Sequence, residues 1–230
     1  MDEPKEIAVD VGAGQRTTAL YYAASRAARR PATLILAHGA GAPQRHPFMV
    51  SFAASLRDRG IDVLTFNFLY TEQRRKVPDR MPQLVACYRA VVATARAQVP
   101  SAHDRLFIGG KSMGGRAATH VAAEDPGIAI SGIVLLGYPL HPPGRLDQLR
   151  DAHLPNVTHP MLFVQGTRDT FGTPIELRPI LARLTPLPTL HAVEGGDHSF
   201  KIAGRDARAR QAGVHAEVQD AVAEWIQQVG

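Results

Sequence analysis

Short apolar runs alternate with longer segments of helical periodicity along the 230 residues of this chain. The apolar runs are nearly unbroken, which is typical of strands that are buried on both faces of a sheet. Strands are predicted at Thr33–Ala37, 61–68, 106–109, 133–137, 161–165 and 189–194, and helices at 48–59, Met81–Gln98, Met113–Glu124, 175–184 and Ala207–Gln228. This alternation predicts an α/β fold, a mostly parallel central sheet flanked by helices on both faces.

Two other regions complete the predicted outline. Residues 6–11 and 17–24 are predicted to form two strands joined around Gly12 and Gly14, which would give the sheet an antiparallel edge. The proline-rich stretch 139–160 is the only insertion without strand character, and it is too short to form a second domain. We therefore expect residues 1–230 to form a single domain with no large cap.

The segment 106–115, LFIGGKSMGG, combines a strand, a tight glycine turn and the start of a helix. Its centre matches the pattern G-x-S-x-G, in which a nucleophilic serine occupies a strained turn between strand and helix and the glycines avoid steric clashes. Ser112 is therefore the predicted nucleophile. The ending Gly-Lys-Ser also resembles a phosphate loop, but the first glycine of that motif would fall on Arg105, which excludes it.

A serine hydroxyl needs a base to accept its proton and a carboxylate to orient that base. His198 follows a late predicted strand in the turn GGDHSF, and Asp169 follows the preceding one, so the chain order is Ser, Asp, His. Asp197 is a rival acid, but its neighbour in sequence is the base itself, which makes the approach to the imidazole difficult. Asp151 is a more distant alternative.

The first strong strand ends in His38 and the small residues GAGA, which leave backbone N–H groups accessible beside the serine turn. Such donors stabilise the negative charge that develops on a carbonyl oxygen during acyl transfer. We predict that the N–H groups of Ala40 and Met113 form this oxyanion hole. His38 is a second candidate base, although its position before Gly39 favours a role in shaping the turn.

The composition narrows the classes of function. The net charge is +5, but the arginines are scattered among acidic residues, and the densest basic run, 74–76, is too short for a nucleic-acid surface. No apolar run approaches the ~20 residues that span a bilayer, and the polar N-terminus does not resemble a secretory signal. The lone Cys87 lies in a predicted helix without a Cys/His cluster. We expect a cytoplasmic protein without metal, cofactor, nucleic-acid partner or membrane attachment.

Six motifs together resemble the α/β-hydrolase superfamily: HGAGA, FNFLY, GGKSMGGR, GYPLHPP, FVQGTRD and GGDHSFK. They are similar to the cap-less, dienelactone-hydrolase-like branch that includes the testis-expressed hydrolase-like proteins and the third subunit of the non-specific-lethal chromatin complex. The resemblance implies Ser112, Asp169 and His198 as the catalytic triad. Dienelactone hydrolases carry cysteine as nucleophile, so Ser112 argues against that particular activity.

The predicted function is a serine hydrolase that cleaves a small or exposed ester or thioester through an acyl-enzyme on Ser112. Its partner would be a small-molecule acyl substrate, because the short insertion implies an open site. Two alternatives use the same fold: a binding or scaffold protein with little or no turnover, and an acyltransferase in which another acceptor replaces water.

Overall fold

The computed structural model describes residues 3–25 and 31–229. Its sheet contains eight strands in the order β1-β2-β4-β3-β5-β6-β7-β8. β1 pairs antiparallel with β2 and β2 antiparallel with β4, and every other pairing is parallel. The strands are β1 (Lys5–Gly12), β2 (Gln15–Tyr22), β3 (Thr33–Ala37), β4 (Asp62–Phe66), β5 (Leu106–Lys111), β6 (Gly132–Leu136), β7 (Met161–Gly166) and β8 (Thr189–Val193).

The helices lie on both faces of this sheet. They are α1 (Pro47–Asp58), α2 (Leu69–Glu72), α3 (Met81–Gln98), α4 (Ser101–Asp104), α5 (Met113–Glu124), α6 (Pro174–Leu181) and α7 (Ala207–Gln228), with a short 3-10 helix at Leu154–Asn156. α1 and α7 contact each other on one face, while α3 and α5 contact each other on the opposite face. The predicted α/β architecture with helices on both faces is thus confirmed.

Alternate residues of each strand divide the core between these two layers. In β3, Leu34 and Leu36 pack into the cluster beneath α1 and α7, whereas Ile35 and Ala37 pack into the cluster beneath α3 and α5. All five residues of β3 are buried, as the unbroken apolar run predicts for a central strand covered on both sides. The centre of the sheet is therefore a rigid base for the loops at its carboxyl edge.

The structure confirms two of the predicted regions and shortens one predicted strand. The antiparallel edge of β1 and β2 is confirmed, with Gly12 and Gly14 at positive φ in the turn. The strand predicted at 61–68 ends at Phe66, because the Phe68 backbone N–H turns away to donate to His38. The insertion 139–160 contains only the 3-10 helix, as its lack of strand character predicts.

Within the two described ranges, none of the helices combines the length and apolar character that crossing a bilayer requires. Cys87 is a buried free thiol in α3, and burial raises its pKa to about 12. It packs in the core, which is the role that its position in a predicted helix indicates.

Candidate active site

Ser112 lies between the end of β5 and the first residue of α5. Its backbone has φ 51° and ψ −116°, a positive φ that non-glycine residues seldom adopt. The Ser112 N–H donates to Leu136 O of the neighbouring strand at 3.0 Å, which holds the turn against β6. This is the strained strand-to-helix turn that the glycine pattern predicts, and backbone strain of this kind clusters at functional sites.

The two glycines of the motif are required by a close approach of backbones. A Cβ on Gly110 would lie 2.5 Å from Ala37 O, and a Cβ on Gly114 would lie 2.5 Å from the same oxygen. Both distances are far below van der Waals contact with backbone atoms that cannot move aside. The glycines therefore let the first turn of α5 pack directly against the end of β3, which places Ser112 beside the loop that starts at His38.

His198 is held in its loop by anchors on both sides. On one side, a Cβ on Gly166 would lie 2.3 Å from Gly196 O, so the loops after β7 and β8 pack backbone to backbone. On the other side, Phe200 is fully buried and has a positive φ of 62°. The loop between these anchors has little freedom, which fixes the position of the imidazole.

The structure brings Ser112, His198 and Asp169 into one hydrogen-bonded chain. Ser112 Oγ donates to His198 Nε2 at 2.8 Å, and His198 Nδ1 donates to Asp169 Oδ2 at 2.7 Å. The Asp169 side chain is completely buried and that of His198 is 21% exposed. A buried carboxylate, an oriented imidazole and a hydroxyl within hydrogen-bond reach form the geometry that activates a serine nucleophile.

Two residues that were not among the predicted site residues, Gln165 and Phe171, contact the predicted acid and the predicted base. Gln165 Nε2 donates to Asp169 Oδ2 at 2.8 Å, and the Phe171 N–H donates to Asp169 Oδ1 at 2.8 Å. The Phe171 ring also packs on the His198 ring, with centroids 4.3 Å apart. Gln165 lies inside the motif FVQGTRD at 163–169, and Phe171 follows Asp169 by two residues, so this motif is the signal that could have directed attention to them.

The rival acids do not reach the imidazole. Asp197 Oδ1 instead accepts hydrogen bonds from the backbone N–H groups of Ser199 and Lys201, at 2.7 and 2.9 Å. It therefore shapes the turn that carries His198. Asp151 lines a separate surface depression with Leu146 and does not contact the site.

His38 is fully buried, and both ring nitrogens bond to backbone. Its Nδ1 donates to Gly39 O at 2.7 Å and its Nε2 accepts from the Phe68 N–H at 3.1 Å. Burial lowers its pKa to about 4, so the ring is neutral near pH 7. His38 thus bridges the loops after β3 and β4, as its position before Gly39 predicts, and is not placed to act as the base.

The two predicted oxyanion donors both face the cleft that contains Ser112. Ala40 and Met113 line this cleft, and neither backbone N–H donates to an acceptor within residues 3–25 and 31–229. Met113 is also the first residue of α5, where the positive end of the helix dipole favours negative charge. Their position suits an oxyanion hole, and that role stays a prediction.

Lys111, which was not among the predicted site residues, carries a buried ammonium group close to His198. A Cβ placed on Gly137 would lie 3.1 Å from Lys111 Nζ and 3.4 Å from His198 Nδ1, so the ammonium and the imidazole flank the same point. Burial lowers the pKa of Lys111 to about 8, an effect that the charges of Asp169 and Asp197 oppose. Its positive charge compensates those carboxylates inside the protein.

The cleft has a volume of about 440 Å³ and is open to solvent. Besides the residues already described, its walls include Arg116 from α5 and Pro139 and Arg150 from the insertion. In the part of the chain that the structure describes, no group of three or more His, Cys, Asp or Glu side chains is arranged to hold a metal ion. Because it is open and has this volume, the cleft can admit a small molecule to Ser112.

Comparison with solved structures gives the same fold over almost the whole chain. A serine hydrolase without a lid from Xanthomonas campestris superimposes with a TM-score of 0.73 at 22% identity, covering 98% of this chain and 96% of that one. A dienelactone hydrolase from Anabaena variabilis gives 0.74 at 20%, covering 99% of each chain. An esterase from Pyrococcus furiosus gives 0.73 at 16%, covering 99% of this chain and 91% of that one.

The sequence itself matches a known family across most of its length. Residues 30–227 match the family described as "Alpha/beta hydrolase domain". This match agrees with the eight-stranded sheet, the serine turn after β5 and the His-bearing loop after β8. The chain belongs to the α/β hydrolase domain family.

Proposed function

We propose that this protein is a serine hydrolase that cleaves a small or exposed ester or thioester through an acyl-enzyme on Ser112. The observation that carries the proposal is the continuous chain of hydrogen bonds from Ser112 Oγ through His198 to the buried carboxylate of Asp169. Ser112, at the end of these hydrogen bonds, lies in a cleft of about 440 Å³, and this volume fits a small acyl substrate.

In the first half of the reaction, Ser112 Oγ attacks the carbonyl carbon while His198 Nε2 accepts the hydroxyl proton. The developing oxyanion is stabilised by the backbone N–H groups of Ala40 and Met113. The bond from the carbonyl carbon to the leaving oxygen or sulfur then breaks, and His198 gives its proton to the departing alcohol or thiol. The acyl group remains as an ester on Ser112.

In the second half, His198 accepts a proton from water, whose oxygen attacks the acyl-enzyme. The collapse of this intermediate returns a proton from His198 to Ser112 Oγ and releases the carboxylic acid. In both halves, Asp169 holds the orientation of the imidazole and stabilises the imidazolium. If another acceptor replaces water, the same acyl-enzyme gives acyl transfer.

The substrate class follows from the absence of a large cap over the described site. The insertion 139–160 contributes Pro139 and Arg150 to one wall but does not cover Ser112. Small or exposed acyl groups therefore suit the cleft better than long lipid chains. Membership of the branch with the testis-expressed and non-specific-lethal complex proteins, and a cytoplasmic location, are parts of this proposal that rest on the sequence.

The proposal is tested by reaction with a fluorophosphonate probe, followed by a panel of p-nitrophenyl esters and acyl-CoA thioesters of graded chain length. We expect Ser112→Ala to abolish labelling and turnover while the circular dichroism spectrum is retained. Ser51→Ala is the matched control, since Ser51 is an exposed serine on α1. Absence of labelling and turnover in the wild type would favour the scaffold alternative.

A further inference from the structure

The cleft beside Ser112 contains two arginine side chains without a carboxylate partner. Arg116 and Arg150 both line the cleft, and both are half-buried. Some arginines elsewhere in the described residues pair with acidic side chains, as Arg59 does with Asp220. In the ranges that the structure describes, neither cleft arginine forms such a pair.

The hydrogen-bonding capacity of these guanidinium groups is largely unused. Arg116 Nε is buried and has no hydrogen-bond partner among the described residues. Arg150 makes one long side-chain contact, from Nη1 to Pro139 O at 3.5 Å. A buried donor without a partner costs free energy, so a ligand that supplies an acceptor to Arg116 would bind favourably.

The two positive charges also repel each other. Burial lowers the pKa of the Arg116 guanidinium, and the charge of Arg150 lowers it further. Lys111 also lines the cleft, but its ammonium lies by Asp169 and Asp197, and these carboxylates compensate its charge. An anion between the two arginines would remove their repulsion and accept bidentate hydrogen bonds, which the planar guanidinium favours.

The position of the pair relates it directly to the reacting bond. Arg116 lies one helical turn beyond the nucleophile, and its backbone N–H donates to Ser112 O at 3.0 Å. Arg150 reaches the cleft from the insertion, whose backbone is fixed where the Tyr138 hydroxyl donates to Arg150 O at 2.6 Å. Arg116 and Arg150 thus line the cleft of Ser112 from separate elements.

We infer that Arg116 and Arg150 form an anion-binding subsite, and that the preferred substrate is a small ester or thioester with a carboxylate or phosphate group close to its scissile carbonyl. This inference rests on the proposed hydrolase function, because it assigns the substrate class of the same site. A carboxylate and a phosphate present the same oxygen acceptors to guanidinium groups, and the experiment distinguishes them.

The test compares ethyl hydrogen glutarate and ethyl 4-phosphonobutyrate with the neutral ethyl pentanoate, with ethanol release as the assay. The measured quantity is the ratio of kcat/KM for each anionic ester to that for the neutral ester, which cancels any general loss of activity. We expect a ratio above one in the wild type and a decrease of about tenfold in Arg116→Gln and in Arg150→Gln. The larger of the two anionic ratios identifies the preferred group.

Three controls separate charge recognition from packing. Arg116→Lys keeps the charge and should retain most of the preference, and 0.5 M NaCl should reduce it in the wild type. Arg145→Gln removes an exposed arginine of the same insertion that does not line the cleft, and its ratio should equal that of the wild type. If the arginines only pack their stems on the cleft wall, Arg116→Gln and Arg150→Gln will change stability but not the ratio.

A wild-type ratio at or below one for both anionic esters would overturn the inference, as would an unchanged ratio in the double variant Arg116→Gln/Arg150→Gln. Fluorophosphonate labelling of Ser112 in the same preparations identifies which claim has failed. Labelling without anionic preference refutes the subsite alone. Absence of labelling and of ester turnover refutes the hydrolase function and the subsite with it.

Discussion

Replacing Asp169 by asparagine removes the negative charge beside His198 and creates a conflict between donors. Asp169 Oδ2 accepts from His198 Nδ1 at 2.7 Å and from Gln165 Nε2 at 2.8 Å, while Oδ1 accepts from the Phe171 N–H at 2.8 Å. An amide can place its oxygen at only one of these positions. If the oxygen stays with Phe171, the NH₂ group faces two donors, and His198 is driven to the wrong tautomer.

The expected loss in kcat for Asp169→Asn is about 10⁴-fold if the cost resembles that in serine proteases, which corresponds to ~5.5 kcal/mol of transition-state stabilisation. Asp197→Asn is the matched control, because the asparagine oxygen can still accept from the N–H groups of Ser199 and Lys201. We expect it to cost much less than Asp169→Asn. The assay is ester turnover by both variants, with circular dichroism to exclude unfolding.

One result would refute this reasoning. If Asp197→Asn lost most of its activity while Asp169→Asn remained nearly active and both were folded, the acid would be Asp197. The hydrogen-bonded chain through Asp169 would then not describe the working enzyme.

Three further predictions concern a glycine of the serine turn, the exposed basic run 74–76 and the buried His38. Gly114→Ala should lower the free energy of unfolding by about 1–3 kcal/mol, because the new Cβ would lie 2.5 Å from a backbone oxygen. Urea denaturation measures this change, and unchanged stability would show that α5 can move. Replacing the basic run 74–76 with glutamine should leave turnover of neutral esters and stability nearly unchanged, since these side chains are exposed, and a selective loss on acyl-CoA would assign them to substrate binding. Stability should fall as the pH drops from about 6.5 to about 4, because the unfolded chain protonates His38 in this range while burial keeps the folded-state pKa at about 4; His38→Gln should reduce this dependence, and an equally steep curve in the variant would assign it to other groups.

The parts of the fold that depend on local pattern could be predicted from the sequence. Unbroken apolar runs identify the central strands. The succession of strand, glycine turn and helix around Ser112 places the serine at the carboxyl edge of β5. Chain order then places His198 and Asp169 in loops at the same edge, because the carboxyl ends of parallel strands meet there. Local pattern and topology together thus suffice to bring these three side chains together.

The remaining features give little or no signal in the local pattern of the sequence. Arg116 and Arg150 meet in one cleft only because the insertion folds back over α5. The short helices α2 and α4 have too few residues for a periodic signal. Gln165 looks like an ordinary strand residue until the loop after β7 turns its partner Asp169 back towards it.

The central claim is that Ser112 carries the acyl group during turnover, and trapping that intermediate tests it most directly. The enzyme is mixed with excess p-nitrophenyl ester, quenched in acid within the first turnovers, digested and examined by tandem mass spectrometry. We expect the acyl group on the peptide that contains Ser112, assigned to Ser112 itself, and no such adduct in Ser112→Ala. An acyl group on another residue, or full turnover by Ser112→Ala, would contradict the account.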